Sequence, residues 1–263
     1  MRRLGVGVMI FKRAIAKLRA QDWTAISIEL AIVIVGVFIG TWVANWNQQR
    51  QAQSQARQML LQLQPEMKQL EAFSDSARRY YSITGKYADI ALAGWRNDPT
   101  VSDRDFVIAA YQASQIYGFN NNGASWALVF GANDLRNIPD SEARQALTRL
   151  MTFDYSTIGL GAVQTRYRDH VREVIPDSIQ QQIRKDCGDV IAGPSGTVAI
   201  PATCAIVIDP ALAAATARDL RQDKTLAQQL GQHRSLVSAY LTNLGLFDAQ
   251  KKALADRIAR LDH

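Results

Sequence analysis

The chain has 263 residues, of which 48% are hydrophobic and 21% charged, and this composition excludes a wholly disordered protein. Its net charge of +6 is carried mainly by residues 1–46, where six basic residues stand against two acidic ones. The rest of the chain carries only +2. That excess is too small for an extended phosphate-binding surface, so nucleic-acid binding is not expected.

An apolar run extends from Ala25 to Trp46, with Glu29 as its only charged residue. A helix of this length rises about 33 Å, which matches the hydrocarbon core of a bilayer at about 30 Å. No small-x-small cleavage motif precedes the polar segment that follows, which favours a retained anchor over a cleaved signal peptide. The sequence therefore predicts one transmembrane helix at 25–46, with the lipid bilayer as its immediate partner.

The leader, residues 1–24, holds all six of these basic residues, whereas Arg50 and Arg57 are the basic residues close to the other end of the run. The positive-inside bias then predicts a cytoplasmic N-terminus and an exported domain at 47–263. Apolar residues recur every three or four positions in the leader. This spacing is compatible both with a helix lying on the inner membrane surface and with an irregular basic leader.

Small residues mark one face of the predicted span at Gly36, Gly40 and Ala44, and Glu29 falls near the same face. Small side chains let two membrane helices approach closely, and an intramembrane carboxylate often marks a contact. This face predicts a homodimer or contact with another membrane protein. The alternative is that Gly is simply common in membrane helices and that Glu29 reaches back to water or to a basic leader residue.

Beyond the span, apolar residues at 56–88 follow alternating steps of three and four, which is typical of a helix in a bundle. Pro65 interrupts this run and predicts either a kink or one unpaired backbone carbonyl. Thr100 followed by Asp103 is a capping signal for a further helix that extends to Tyr117.

The next segment, 118–125, is a loop rich in Gly and Asn. It either connects two helices or presents side-chain amides to a ligand, and in the second case the candidate residues are Asn120, Asn121 and Asn122. A short helix is predicted at 126–138. A long helix follows, capped by Asp140 or Ser141 and running to Val174 with a bend at 159–161.

Two cysteines, Cys187 and Cys204, flank two short β-branched runs that are joined by a Gly-Pro-Ser-Gly sequence. This pattern predicts a β-hairpin insertion at 187–208. In an oxidising compartment the two cysteines are expected to form a disulfide, worth about 3 kcal/mol in the chain-entropy view. The alternative is a pair of unpaired thiols.

The C-terminal segment predicts the most regular helix of the chain. Apolar positions recur at alternating steps of four and three: Leu226, Leu230, His233, Val237, Tyr240, Leu244, Phe247, Lys251, Leu254, Ile258 and Leu261. Such a seam requires another long helix, and 56–88 has the same period, so we expect an antiparallel pair of coiled-coil type.

Groups for catalysis or metal binding are few. The three histidines lack the spacing of known metal motifs, and His233 on the seam is better interpreted as a hydrogen-bonded core residue than as a ligand. Asp154 and Tyr155 beside Trp126 are a candidate pocket lining, although aromatic residues at such positions usually belong to a core. We therefore predict no catalytic residue, no metal and no cofactor.

The span also carries a residue pattern of its own. It consists of Glu29, Leu30, Ile32, Val33, Gly36, Ile39, Asn45, Trp46 and Asn47. The chain resembles, through this pattern, a family of bacterial single-pass inner-membrane proteins of unknown function. A looser similarity continues through Trp126 and Leu135 to Tyr155, with Gly131-Ala132-Asn133 replacing the family's Ser-Gly-Asn turn. The resemblance implies a bacterial inner-membrane protein with a periplasmic helical domain, and it implies no activity.

Together these patterns predict a mainly α protein: a transmembrane helix that continues into an antiparallel helical bundle with one small disulfide-closed hairpin. The leading functional hypothesis is a non-enzymatic interaction or scaffolding protein of the cell envelope. The alternative is a periplasmic sensory or small-ligand-binding module of the four-helix type, with the Asn120 to Ser125 loop near its pocket.

Overall fold

The computed structural model describes residues 23–119, 135–192 and 197–261. The protein is mainly helical and has one short two-stranded sheet, which confirms the predicted fold class. It consists of two compact units, Met1–Gln55 and Ala56–His263. The α-helices of the described residues are α1 (Trp23–Gln62), α2 (Gln64–Trp95), α3 (Asp103–Gln112), α4 (Ser141–Met151), α5 (Arg166–Val174), α6 (Asp177–Cys187), α7 (Pro210–Gln222) and α8 (Leu226–Leu261).

Helix α1 contains the apolar run and continues well past it, to Gln62. Within the described residues, it alone begins with a segment long and apolar enough to cross a bilayer, judged by length and composition. The apolar side chains on this segment are not covered by protein: Phe38 is 70% exposed and Ile32 66% exposed. Side chains of this kind are compatible with a membrane anchor.

Pro65 separates two helices and does not merely kink one. Helix α1 ends at Gln62, and α2 starts at Gln64, so that Pro65 falls in its first turn. A first-turn position needs no intrahelical N–H, and its φ suits proline. The chain resumes its helical bonding at once, because the Met67 N–H donates to the Leu63 carbonyl at 2.9 Å.

The start of α3 differs from the predicted one. Ser102 is the N-cap, and its hydroxyl accepts from the Asp105 N–H at 3.1 Å. Thr100 is not available for this role, since both its N–H and its hydroxyl donate to the Asp98 carboxylate at 2.9 and 2.7 Å. The helix ends at Gln112, so the predicted extension to Tyr117 is wrong.

The single long helix predicted from residue 140 to Val174 is also wrong. Asp140 caps α4 as expected, but α4 ends at Met151. Two short 3₁₀ turns follow, Tyr155–Ile158 and Leu160–Val163, before α5 begins. The turns are held from outside the segment, because the Phe119 N–H donates to the Ile158 carbonyl at 2.8 Å.

The hairpin is present, with β1 (Val190–Ala192) antiparallel to β2 (Thr197–Ala199). Cys187 at the end of α6 and Cys204 beyond β2 form a disulfide, with their Cα atoms 5.5 Å apart. Both predictions are thus confirmed. Among the described residues there is no free cysteine.

Helix α7 lies between the hairpin and the last helix and was not predicted. Asp209 caps it by accepting the Leu212 N–H at 2.9 Å, and Pro210 occupies its first turn. These are ordinary start signals, but they follow the strand-like sequence AIVID. In addition, only three residues separate the end of α7 from the last helix.

Helix α8 packs against α2, as predicted, and also against α4. Two hydrophobic clusters fill the second unit. The first joins the end of α1 to α2, α4 and the C-terminal half of α8, and it includes Leu60, Leu63, Leu70, Leu147, Leu150, Phe247, Leu254 and Ile258. The second joins α2 to α3, α5, α6, α7 and the start of α8, and it includes Ala91, Phe106, Tyr111, Tyr167, Ile179, Ile183, Leu220 and Leu230.

Candidate functional site

The four predicted membrane-contact residues, Glu29, Gly36, Gly40 and Ala44, all lie on α1 and are exposed. At 3.6 residues per turn they fall within an arc of about 80°. A Cβ atom added at Gly36 or Gly40 would meet no atom within 4 Å. This face therefore has room for a second helix at close range.

The proposed ligand loop, Asn120, Asn121 and Asn122, lies outside the described residues, as does Trp126. Asp154 and Tyr155, the other two residues of the candidate pocket lining, both form structural hydrogen bonds. Asp154 accepts the Ser156 N–H at 3.1 Å as the cap of a 3₁₀ turn, and the Tyr155 hydroxyl donates to the Leu150 carbonyl at 3.0 Å.

Histidine does not form a metal site in the described part of the chain. His233 is 2% exposed, and its Nδ1 lies 3.0 Å from the Thr165 hydroxyl, as expected for a hydrogen-bonded core residue. Burial lowers the pKa of His233 to about 4, so the imidazole is neutral at pH 7. No group of three or more His, Cys, Asp or Glu side chains in the described ranges could hold a metal ion.

A groove of about 590 Å³ runs between the first turns of α2 and the last turns of α8. Its lining includes the apolar side chains Met67 and Ile258. Lys251, 8% exposed, lies on the same surface and donates to Asp248 at 2.9 Å, while Arg78 donates to the other oxygen of that carboxylate at 2.6 Å. The groove thus combines apolar contact area with a fixed group of charges.

A second polar region was missed by sequence reasoning. It consists of Arg168 and Arg172 on α5, Tyr111 in the last turn of α3 and Gln115 just after that helix, and we call these four residues the arginine centre. Arg168 Nη1 donates to the Ser114 carbonyl at 2.8 Å and to Gln115 Oε1 at 3.3 Å. Arg172 Nη2 donates to that same amide oxygen at 3.0 Å. Two cations therefore share one neutral acceptor.

The guanidinium of Arg172 is fixed in place and only partly satisfied. It stacks on the Tyr111 ring with its Cζ 4.6 Å from the ring centroid. Its Nε is buried and has no hydrogen-bond partner among the described residues. Burial, together with the neighbouring positive charge of Arg168, lowers the pKa of Arg172.

The acidic group that acts on the arginine centre is Asp189, next to the hairpin. The Tyr80 hydroxyl donates to its carboxylate at 2.9 Å. Burial raises the pKa of Asp189, which favours its neutral form. Over the described ranges, no carboxylate lies within 4.0 Å of Arg168 or Arg172, whereas other arginines on the same unit form such pairs, for example Arg221 with Asp103 at 2.8 Å.

The sequence contained one signal for this region. Arg168 and Arg172 are four residues apart, and like charges at this spacing on a helix repel each other. The predicted single helix to Val174 gave neither arginine a role. Only the break before α5 and the folding of α3 against it bring Gln115 and Tyr111 to the two arginines.

No family model, curated protein or solved structure matches the chain. The fold and its sites therefore define the class directly. This is a mainly helical protein with a disulfide-closed hairpin and, in the part of the chain that the structure describes, one candidate membrane span.

Proposed function

We propose that the chain is a single-span membrane protein whose helical unit is exported and acts by contact with other proteins. The observation that carries this proposal is the uncovered apolar segment of α1, where side chains such as Val37, Phe38 and Trp42 are each more than 60% exposed. Burying apolar surface of this kind is worth about 25 cal/mol per Å². A bilayer supplies that burial along the whole segment.

Export of the helical unit is supported by two independent features. The leader carries more Lys and Arg than the other flank of the span, which favours a cytoplasmic N-terminus. The Cys187–Cys204 disulfide belongs to the second unit, and disulfides persist in oxidising compartments outside the cytoplasm. The resemblance of the span to bacterial inner-membrane proteins favours the periplasm as this compartment.

The partner in the membrane is a second copy of the chain, held through the face that contains Gly36 and Gly40. Small residues at this spacing allow two helix backbones to approach closely, and dispersion contacts then replace contacts with lipid. Glu29 on the same face would lie at this contact, where a polar partner lowers the free-energy cost of placing its carboxylate in the membrane. The contact role of the helical unit is supported by core polar groups that are engaged in structural bonds, such as the Tyr167 hydroxyl, which donates to the Ala110 carbonyl at 2.7 Å.

Self-association is tested by crosslinking the full-length protein in native membranes. Gly36→Leu places a bulky side chain at the contact and should reduce the dimer at least severalfold. Val35→Leu is the matched control, because it adds bulk about 100° around the helix from Gly36, and it should leave the dimer unchanged. Equal crosslinking of both variants and the wild type would refute the contact.

A further inference from the structure

We propose that the arginine centre binds an oxyanion, a phosphate or carboxylate group of a ligand, in the helical unit. The site is separate from the membrane contact, and the inference does not depend on it. The two guanidinium groups converge on Gln115 Oε1, at 3.3 Å from Arg168 and 3.0 Å from Arg172. An amide oxygen accepts these bonds but cannot neutralise two positive charges.

The acceptor itself is fixed by a chain of amides. Gln115 Nε2 donates to Gln112 Oε1 at 3.4 Å, and Gln112 Nε2 donates to the Cys187 carbonyl at 2.7 Å. All of these amide groups are buried, since Gln112 is 0% exposed and Gln115 7% exposed. Gln115 therefore keeps its oxygen directed at the arginines and holds the two cations close together in the absence of a counterion.

Several donors of the two guanidinium groups remain for a ligand. Arg168 uses only its Nη1, and Arg172 only its Nη2, in bonds to described residues. Both side chains are half-buried, so they are reachable from solvent but poorly solvated. Guanidinium forks bind carboxylate and phosphate through paired hydrogen bonds, and these charge-assisted bonds are stronger in a partly buried site.

The surrounding charges favour an anion further. Arg184 extends the positive side, with its Nη1 3.5 Å from the Tyr111 hydroxyl and its Nη2 3.2 Å from the carboxylate of Asp177. The carboxylate of Asp189, to which the Tyr80 hydroxyl donates, interacts with both arginines and opposes an anion, but burial raises its pKa and so weakens that opposition. An oxyanion bound between Arg168 and Arg172 would relieve their mutual repulsion without displacing either bond.

Thermal unfolding of the purified full-length protein in detergent tests this inference. Inorganic phosphate or succinate, compared with chloride at equal ionic strength, should raise the Tm by about 5 °C at a hundredfold excess over Kd. Arg172→Gln and Arg168→Gln should abolish the rise. Arg172→Lys, which retains the charge but loses the planar fork, should weaken binding about tenfold.

Arg218→Gln is the matched control, because it removes one exposed arginine of the same unit and should leave the rise intact. Nanodiscs show whether the oxyanion is a free ion or a lipid headgroup. A higher Tm in phosphatidylglycerol than in phosphatidylcholine nanodiscs, with no further rise on adding phosphate, identifies a lipid headgroup as the oxyanion. No rise with any of these anions would overturn the inference, as would an equal rise in Arg172→Gln.

Discussion

Removing the disulfide between Cys187 and Cys204 should destabilise the helical unit without changing its fold. The bond closes a loop with a sequence separation of 17 residues. In the chain-entropy view, a loop of this length contributes about 3 kcal/mol by restricting the unfolded chain. The native segment has other attachments, since the Tyr87 hydroxyl donates to the Pro201 carbonyl at 3.0 Å and Arg104 Nε donates to the Ile206 carbonyl at 2.7 Å.

Urea unfolding of the full-length protein in detergent, followed by circular dichroism, measures this contribution. The variant Cys187→Ala/Cys204→Ala should lose about 3 kcal/mol of unfolding free energy, and reduced wild type should lose a similar amount. The variant itself should not respond to reductant, which is the internal control. If reduction leaves the unfolding free energy of the wild type unchanged, the disulfide does not stabilise the protein by restricting the unfolded chain.

Two further predictions concern single residues of the core. The pKa of His233 is about 4 in the folded state, against 6.5 in the unfolded state, so the unfolded state binds the proton more tightly. His233 therefore adds stability above pH 6.5 that is lost as the pH falls toward 4, about 3 kcal/mol in all. In the His233→Gln variant, the urea midpoint should vary less with pH over this range. Gly94→Ala should lower the Tm by several degrees, because its Cβ would lie within 3 Å of three Phe106 side-chain atoms; Gly85→Ala on the same helix meets nothing within 4 Å, and should raise the Tm slightly through helix propensity. A lower Tm for Gly85→Ala than for Gly94→Ala would contradict the packing at Phe106.

The parts of the fold that were predictable rest on patterns within one segment. The apolar run of α1 and the apolar seam of α8 each extend over many helical turns. Each turn adds to the evidence for a helix, so a single residue that departs from the pattern does not change the prediction. The disulfide was predictable because two cysteines flank a turn sequence, and a hairpin brings its ends together. Pairing α8 with α2 followed from their matching period and length.

The parts that were not predictable depend on contacts between distant segments. Thr100 and Ser102 are both good caps by type, and the bonds of Asp98 to Thr100 decide between them. The break between α4 and α5 depends on the pairing of Phe119 with the 3₁₀ turns. The arginine centre has the same origin, because its stacking ring comes from α3 and its acceptor from the segment just after α3, whereas its cations come from α5.

The most direct test of the proposed function is the topology of the full-length chain with an N-terminal epitope tag. In intact bacterial spheroplasts, added protease should degrade the helical unit and leave a protected, tagged fragment that contains the apolar segment of α1. Alkaline carbonate should not extract that fragment from the membrane. Protection of the helical unit until the spheroplasts are lysed, or release of the undigested chain by carbonate, would contradict a membrane-anchored, exported protein.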